Sequence, residues 1–231
     1  DGAWIGIAAV GLGVQGQDDI DRERLRGPFQ EAFLRTWRGH NENDDFNRLV
    51  LLAGLGWRDV TILRAYARYM KQAASTFSQT YIEQALAAHP TIAAELVTLF
   101  HTRFDPAIHV DRDERQSEIV ARITASLDDV ANLDEDRILR QYLALIEATL
   151  RTNFFQRSAA GAPKPVLSFK FDPAKVPGLP EPKPMFARFV YSPWVEGVPV
   201  SGGKIAPGGR LCSVRVEAPA HAVLGRRRAS R

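Results

Sequence analysis

The sequence predicts a mainly α-helical region followed by an incomplete α+β segment. Between residues 28 and 156, apolar residues recur at intervals of three and four, which places them on one face of a helix. Between residues 167 and 200 the pattern changes to short runs that alternate between apolar and polar residues, as strands do. A proline-rich stretch divides these runs, and proline disfavours both a helix interior and a central strand.

Seven helices are predicted in the first region. Residues that favour helix ends set their limits: Pro28 as a first helical residue, Asp44 or Asp45 as the second N-cap, Gly54 or Gly56 after that helix, and His89-Pro90 between the fourth and the fifth. The helices are expected from residue 28, from residue 44 or 45, from residue 57, and over 81–88, 91–104, 116–130 and 134–155, with a polar break at 105–115.

Apolar stripes indicate which side of each helix is buried. The stripes are Phe29, Phe33, Leu34 and Trp37 in the first helix, Phe46, Leu49, Val50 and Ala53 in the second, Val60, Leu63, Ala67 and Met70 in the third, and Ile138, Tyr142, Leu145, Ile146 and Leu150 in the seventh. The arginine and glutamate residues of these helices are expected to form solvated faces.

The α+β segment follows a predicted flexible link at residues 157–165. Strands are expected at 167–171, 185–191 and 195–200, and the proline-rich turn lies between the first two. The segment is predicted to be incomplete because it contains strands without the helices that must cover them.

The first 27 residues predict an edge strand and a glycine-rich turn. WIGIAAV is short and apolar, and the GLGVQG that follows at residues 11–16 matches the G-x-G-x-x-G pattern of dinucleotide-binding folds. The residues after it are too few and too polar for the helix under a Rossmann sheet, and Asp18, Asp19 and Asp21 stand where a phosphate needs neutral or positive surroundings. No cofactor-binding residue is therefore assigned to this turn.

Composition excludes several classes of protein. Arg226, Arg227, Arg228 and Arg231 account for the net charge of +3, and without them 26 basic residues face 27 acidic ones, so we expect no nucleic-acid partner. No apolar run approaches the roughly 20 residues of a membrane span, so no membrane is expected. The single cysteine, Cys212, favours a reducing compartment, and the first residues do not match a signal peptide. Together these two observations predict a cytoplasmic location.

No residue is assigned a catalytic or metal-binding role from its pattern. The five histidines (His40, His89, His101, His109 and His221) show no metal-ligand spacing, so each is expected to be structural. Cys212 has no histidine partner nearby in sequence, which makes it weak evidence of a nucleophile. Neither a P-loop nor a G-x-S-x-G string occurs.

Three long strings carry a family resemblance. They are FQEAFLRTWRGHNENDDFNRLVLLAGLGWRDVTILRAYARYMKQAASTFSQTYIEQALAAHP from residue 29, LDEDRILRQYLALIEATLRTNFFQ from residue 133 and KPVLSFKFDPAKVPGLPEPKPMFARFVYSPWVEGVPVSGGKIAPGG from residue 164. Over about residues 29–206 the chain resembles the large bacterial NAD-dependent glutamate dehydrogenases. The match covers their helical segment and the start of their catalytic domain, so the chain is expected to be a fragment of such an enzyme.

The string SGGKIAPGG at residues 201–209 is the candidate substrate-binding element. The resemblance implies that Lys204, Gly208 and Gly209 bind a dicarboxylate, because a carboxylate needs a desolvated positive charge and backbone N–H donors that glycine lets approach closely. The family string has a basic residue where Pro207 stands, and proline offers neither charge nor donor. The later Lys-Gly-Gly string, which carries the catalytic lysine of the family, is absent from these residues.

Four segments are predicted: 1–27 as the end of a preceding regulatory-type α/β region, 28–157 as a helical domain, 158–209 as the strand-rich start of the catalytic domain, and 210–231 as a divergent, disordered basic tail. The resemblance implies oxidative deamination of L-glutamate to 2-oxoglutarate and ammonia in amino-acid catabolism, with NAD as cofactor of the full-length enzyme and a homo-oligomeric assembly. This chain alone is expected to bind no cofactor and to be inactive. The alternative is a non-catalytic helical interaction module.

Overall fold

The computed structural model describes residues 21–73, 75–179, 183 and 187–197. In chain order its helices are α1 (Arg22–Trp37), α2 (Leu49–Leu52), α3 (Trp57–Gln72), α4 (Gln79–Ala88), α5 (Pro90–Phe104), α6 (Arg112–Asp128) and α7 (Leu133–Ala148). Four strands follow: β1 (Thr149–Thr152), β2 (Leu167–Phe171), β3 (Ala187–Ser192) and β4 (Val195–Gly197). The predicted order, a helical region and then a small group of strands, is confirmed.

Helix α1 begins earlier than predicted, so the placement of Pro28 as a first helical residue is wrong. The Oδ1 atom of Asp21 accepts a hydrogen bond from the backbone N–H of Arg24 at 3.1 Å, which caps the helix at Arg22. Pro28 therefore lies inside the helix, where its ring removes the hydrogen bond to the carbonyl of Arg24. Arg24 is exposed, so water can satisfy that carbonyl.

The predicted stripe of α1 is mostly on the surface. Phe33, Leu34 and Trp37 are 55%, 46% and 75% exposed, whereas Phe29 packs against the core and Ala32 is buried. The rings of Phe29 and Phe33 stack at 6.4 Å, and those of Phe33 and Trp37 stack at 6.1 Å. The i, i+4, i+8 spacing thus indicates an aromatic ladder along the helix, and only its first ring reaches the core.

The second predicted helix is a single 3-10 turn, Asp45–Arg48, followed by the one turn of α2. Asp44 stands at the N-cap but makes no capping hydrogen bond, because Arg64 holds its carboxylate. Gly54 ends the segment as predicted: its φ of +65° favours glycine, and the N–H of Leu55 donates back to the carbonyl of Leu49.

Helices α3, α4 and α5 lie where the sequence predicts them, within two residues at each start. The predicted stripe of α3, formed by Val60, Leu63, Ala67 and Met70, is fully buried. His89 and Pro90 separate α4 from α5, and Pro90 opens α5, where no intrahelical donor is needed. None of the helices in the described ranges is long and apolar enough to cross a bilayer.

Helix α6 starts four residues before the predicted position. Asp111, with a φ of 54°, turns the chain just before it. The guanidinium of Arg112 then donates to the carbonyls of Arg103 and Asp105, both at 2.7 Å, and to that of Ile108. Part of the predicted polar break is therefore the first turn of a helix, because Arg112 satisfies the carbonyls that end α5 and begin the loop.

Helix α7 ends at Ala148, seven residues before its predicted end. The chain then extends into β1, which pairs with β2, so Leu150 is 52% exposed instead of buried. The rest of the predicted stripe is buried. The hydroxyl of Thr149 donates to the carbonyl of Leu145 at 2.7 Å and lies 2.8 Å from the hydroxyl of Tyr66. These two contacts fix the point where the helix becomes a strand.

The four strands form an antiparallel sheet in the order β1-β2-β3-β4. Phe169 of β2 stands opposite Phe189 of β3, and alternate residues of both strands point into the core. The ring of Phe169 stacks on Tyr66 at 4.6 Å, and that of Phe171 stacks on Tyr69 at 4.3 Å. Because both tyrosines belong to α3, the helices and the sheet share one hydrophobic core.

Candidate functional site

The predicted substrate-binding residues Lys204, Gly208 and Gly209 lie outside the described residues, as do Pro207 and the 11–16 turn. The predicted basic tail and Cys212 lie outside them too. The structure does describe the strand that leads towards the predicted site, since β4 ends at Gly197, seven residues before Lys204. The described part of the site is therefore β4 and the residues that hold it.

The turn between β3 and β4 is closed by the side chain of Ser192. Its hydroxyl accepts hydrogen bonds from the backbone N–H groups of Trp194 at 3.3 Å and Val195 at 3.1 Å. The same serine is buried, although serines are usually exposed. A short polar side chain that bonds backbone two and three residues ahead is a local turn former, so the serine fixes how β4 leaves β3.

An ion-pair chain ties β4 to the helices. The carboxylate of Glu196 lies 3.6 Å from Nε of Arg68 on α3, and the same arginine donates to Glu42. Glu42 also accepts a hydrogen bond from the hydroxyl of Tyr191 at 2.6 Å. Burial alone would lower the pKa of Arg68, but the two glutamates outweigh it and raise that pKa, so the arginine is charged.

Arg64, one turn earlier in α3, is fully buried, and each of its three guanidinium nitrogens makes a hydrogen bond. Its guanidinium grips both carboxylate oxygens of Asp44 at 2.6 Å and donates to the side-chain carbonyls of Asn41 at 2.9 Å and Asn47 at 3.0 Å. Burial opposes the charge, yet the hydrogen-bonded Asp44 raises the pKa of Arg64 above its ordinary value. The pair therefore pins the loop before α2 against α3.

The phenol of Tyr191 binds the same glutamate, Glu42, as Arg68 does, and Tyr191 directly precedes Ser192 of the β3–β4 turn. It is almost completely buried, and burial raises its pKa well above the ordinary value. Arg64 opposes this rise and Glu42 adds to it. The phenol is therefore a neutral hydrogen-bond donor, and Tyr191, Arg64 and Arg68 together make a rigid base for β4.

A cleft of about 290 Å³ opens beside the same turn. Its walls are the end of α1 with the loop after it, the first turns of α3, the segment 154–167 and the residues 191–194. The lining includes Arg35, His40, Arg58, Lys164, Trp57, Phe154 and Trp194. The segment 157–165, predicted as a flexible link, is here a hydrogen-bonded turn in which Arg157 pairs with Pro163.

Two described histidines hold carboxylates. The Nε2 atom of His89 lies 2.8 Å from Glu135, which ties α4 to α7, and that of His101 lies 2.8 Å from Asp59, which ties α5 to α3. Across residues 21–197, apart from the undescribed positions, no group of three His, Cys, Asp or Glu residues could hold a metal ion. These two histidines join helices.

Two family models match the chain. Residues 41–106 match the model described as glutamate dehydrogenase, helical motif 3, and residues 122–231 match that described as the bacterial NAD-glutamate dehydrogenase catalytic domain. Together they cover α2 to α5 and everything from the middle of α6 onwards. The chain belongs to the bacterial NAD-glutamate dehydrogenase family. The resemblance stated from the sequence is confirmed.

Relatives within this family are long proteins. The chain is 49% identical to the NAD-specific glutamate dehydrogenase of Halomonas elongata and 51% identical to that of Pseudomonas aeruginosa, with 90% of the chain aligned in each case. It is 42% identical to the NAD-specific glutamate dehydrogenase of Mycobacterium tuberculosis, with 81% of the present chain aligned. The chain spans about 13% of the length of the first two relatives and 12% of the third.

Sequence reasoning missed the buried arginine of this site. The arginines of the helices were expected on solvated faces, and for Arg64 that expectation is wrong. The signal was present, because Arg64 follows Leu63 directly and is four residues after Val60, inside the apolar stripe of α3. A charged residue at such a position is almost always paired, and the asparagines and acids at residues 41–47 were the available partners.

Proposed function

We propose that this chain forms part of an NAD-dependent glutamate dehydrogenase, which converts L-glutamate, NAD⁺ and water to 2-oxoglutarate, ammonia and NADH. Membership of the family supports this proposal, and the names of its relatives give the cofactor as NAD. The observation that carries the role of these residues is the ion-pair chain from Glu196 through Arg68 to Glu42, which holds β4 against α3.

The proposed role of the chain is to present the 201–209 string to substrate. Lys204 is proposed to bind a carboxylate of glutamate, and Gly208 and Gly209 are proposed to let the backbone approach it. β4 ends at Gly197, four residues before this string begins, so a fixed β4 sets the point from which the chain approaches Lys204. Positioning of this kind matters because a displacement of about 1 Å can reduce a rate about 100-fold.

The remaining assignments follow from the family. We propose that NAD binds to parts of the longer enzyme and that this chain alone binds no cofactor and shows no turnover. Residues 28–157 and 158–209 are proposed as the helical domain and the start of the catalytic domain, after the end of a regulatory-type region at 1–27. The tail at 210–231, a homo-oligomeric assembly and a cytoplasmic location stay predictions.

A chimaera tests the proposal. Residues 29–206 of this chain would replace the matching segment of the Pseudomonas aeruginosa relative, and glutamate-dependent NADH formation would be measured. Activity is expected to survive, and Lys204→Ala in the chimaera is expected to lower kcat/KM for glutamate by about 100-fold, since it leaves a substrate carboxylate unpaired. Lys175→Ala is the matched control, because Lys175 is exposed in the turn after β2. Equal activity of the two variants would remove Lys204 from the substrate site.

A further inference from the structure

The cleft beside the β3–β4 turn has an unbalanced positive lining. Arg35, Arg58, Lys164 and His40 contribute to its walls, whereas no aspartate or glutamate is among its described lining residues. Surface cations are usually interspersed with acids, and this chain is nearly neutral apart from its last residues. A concave surface with one sign of charge raises the local concentration of ions of the other sign.

The guanidinium of Arg58 is half-buried, and no carboxylate of the described residues is bonded to it. It donates to the backbone carbonyls of Phe154 at 2.6 Å and Lys164 at 3.5 Å, and it lies 4.6 Å from the centre of the Phe154 ring. These partners orient the guanidinium but are neutral, and the neighbouring carboxylate of Asp59, which lies 2.8 Å from Nε2 of His101, acts on it without a direct bond. Burial lowers the pKa of Arg58, the positive charges of Arg157 and Arg35 lower it further, and the negative charge of Asp59 offsets only part of this. An anion beside it would relieve both effects.

Arg35 adds a second guanidinium on the other wall. It lies 4.9 Å from the centre of the Trp57 ring. Its carboxylate partner is Glu31 at 3.6 Å, and both side chains are about half exposed, so this pair is weak. The Oε1 atom of Glu31 already accepts a hydrogen bond from the indole of Trp57 at 2.9 Å, and Glu31 is not part of the cleft lining.

The rest of the wall is apolar and rigid. Trp57, Phe154 and Trp194 contribute rings, and Pro163, Pro165 and Pro193 contribute surfaces with few accessible conformations. A volume of about 290 Å³ is close to the lower end for small-molecule sites, which are roughly 300–1,000 Å³. The cleft therefore has room for a small molecule with one charged end and one apolar body.

We propose that this cleft binds a small organic anion, whose phosphate or carboxylate group lies between Arg35 and Arg58 and whose ring or apolar part packs against Trp57 or Trp194. Lys164, an exposed residue of the lining, adds a further positive charge. The planar guanidinium is suited to both anionic groups, because it matches two of their oxygens at once. The proposal rests on the geometry of the cleft and does not depend on the proposed dehydrogenase function.

Calorimetric titration of the full 231-residue chain tests the proposal with three probes of similar size: phenyl phosphate, benzoate and benzyl alcohol. At least one of the anions is expected to bind with one-to-one stoichiometry, and its affinity should fall as the salt concentration is raised. The neutral alcohol is expected not to bind. Preference for phenyl phosphate would identify a phosphate ligand, and preference for benzoate a carboxylate. Equal binding of all three probes, or no binding of either anion at millimolar concentration, would overturn the proposal.

Variants locate the binding. Arg35→Gln and Arg58→Gln are each expected to lower the affinity for the preferred anion by about fivefold or more. Arg137→Gln is the matched control, because Arg137 is an exposed arginine of α7, and it is expected to leave the affinity unchanged. Circular dichroism would check that each variant is folded. Should Arg58→Gln unfold because Phe154 loses its partner, Arg35→Gln decides alone. Unchanged affinity in folded Arg35→Gln, or an equal loss in Arg137→Gln, would refute the assignment.

Discussion

The hydroxyl of Tyr191 in β3 donates a hydrogen bond to Oε1 of Glu42, which lies 2.6 Å away and 149 residues earlier in the chain. Glu42 also accepts from Arg68, which faces Glu196 of β4. The loop after α1 thus contacts β3 at this carboxylate and is linked to β4 through Arg68. Because the chain closes such a long loop here, the bond holds a non-local part of the fold.

Tyr191→Phe is expected to lower the free energy of unfolding by about 1–2 kcal/mol, since it removes one hydrogen bond to a charged group at a largely buried site. Urea denaturation would measure the loss. Tyr81→Phe is the matched control, because the Tyr81 hydroxyl is 3.5 Å from its partner Asn132. A change below about 0.5 kcal/mol in both variants would mean that the bond to Glu42 contributes little.

Arg64→Met is expected to lower the free energy of unfolding by about 3–5 kcal/mol, because it leaves Asp44 without its cation in a buried network. Adding Asp44→Asn should recover part of the loss, since the unpaired charge is then gone. Arg137→Met controls for the loss of an exposed arginine and should change stability by less than about 0.5 kcal/mol. Additive losses in the double variant would argue that the two side chains act separately.

Trp37→Ala and Phe169→Ala are expected to differ sharply, although both remove a large aromatic ring. Trp37 is 75% exposed at the end of the α1 ladder, so its loss should cost less than about 0.5 kcal/mol. Phe169 is 2% exposed and stacks on Tyr66, so its loss should cost about 3–5 kcal/mol. Thermal unfolding of the two variants side by side measures the difference, and similar midpoints would contradict the placement of the two rings.

Gly54→Ala and Gly197→Ala should change stability in opposite directions. Gly54 has a φ of +65°, which strains any other residue by about 1–3 kcal/mol. Gly197, at the end of β4, has no positive φ and nothing within 4 Å of an added Cβ, so alanine there should stabilise by about 0.4–1 kcal/mol. Chemical denaturation of both variants gives the signs. Stabilisation by Gly54→Ala would show that the turn after α2 relaxes to another conformation.

Much of the helical region could be predicted from sequence because its core stripes and helix stops are local. The stripe of α3 and the His89-Pro90 break are both found where expected. The end of α7 could not be predicted in this way, since β1 exists only because β2 is there to pair with it. Leu150 has the right spacing for α7 and is nevertheless exposed, because strand pairing overrides the helical period.

The candidate site shows the same division. Lys204, Gly208 and Gly209 follow from resemblance and chemistry, and they stay predictions. The Arg64–Asp44 pair could not be predicted, because the two residues are 20 positions apart in the chain. The sequence also gives Asp44 another role, that of a helix N-cap. The cationic cleft could not be found from sequence at all, since its lining comes from four separated stretches of the chain.

The stacking of Phe169 and Phe171 on Tyr66 and Tyr69 constrains how genes for such proteins recombine. Residues 107–121 lie between the two family-model matches, so a crossover in this interval would leave both matched segments intact. A crossover there would join α3 of one parent to the sheet of the other. The aromatic residues of α3 and of the sheet would then come from different sequences and would still have to make the same stacking contacts. We expect viable recombinants to inherit both sides from one parent, so that this stretch passes between lineages as an undivided block.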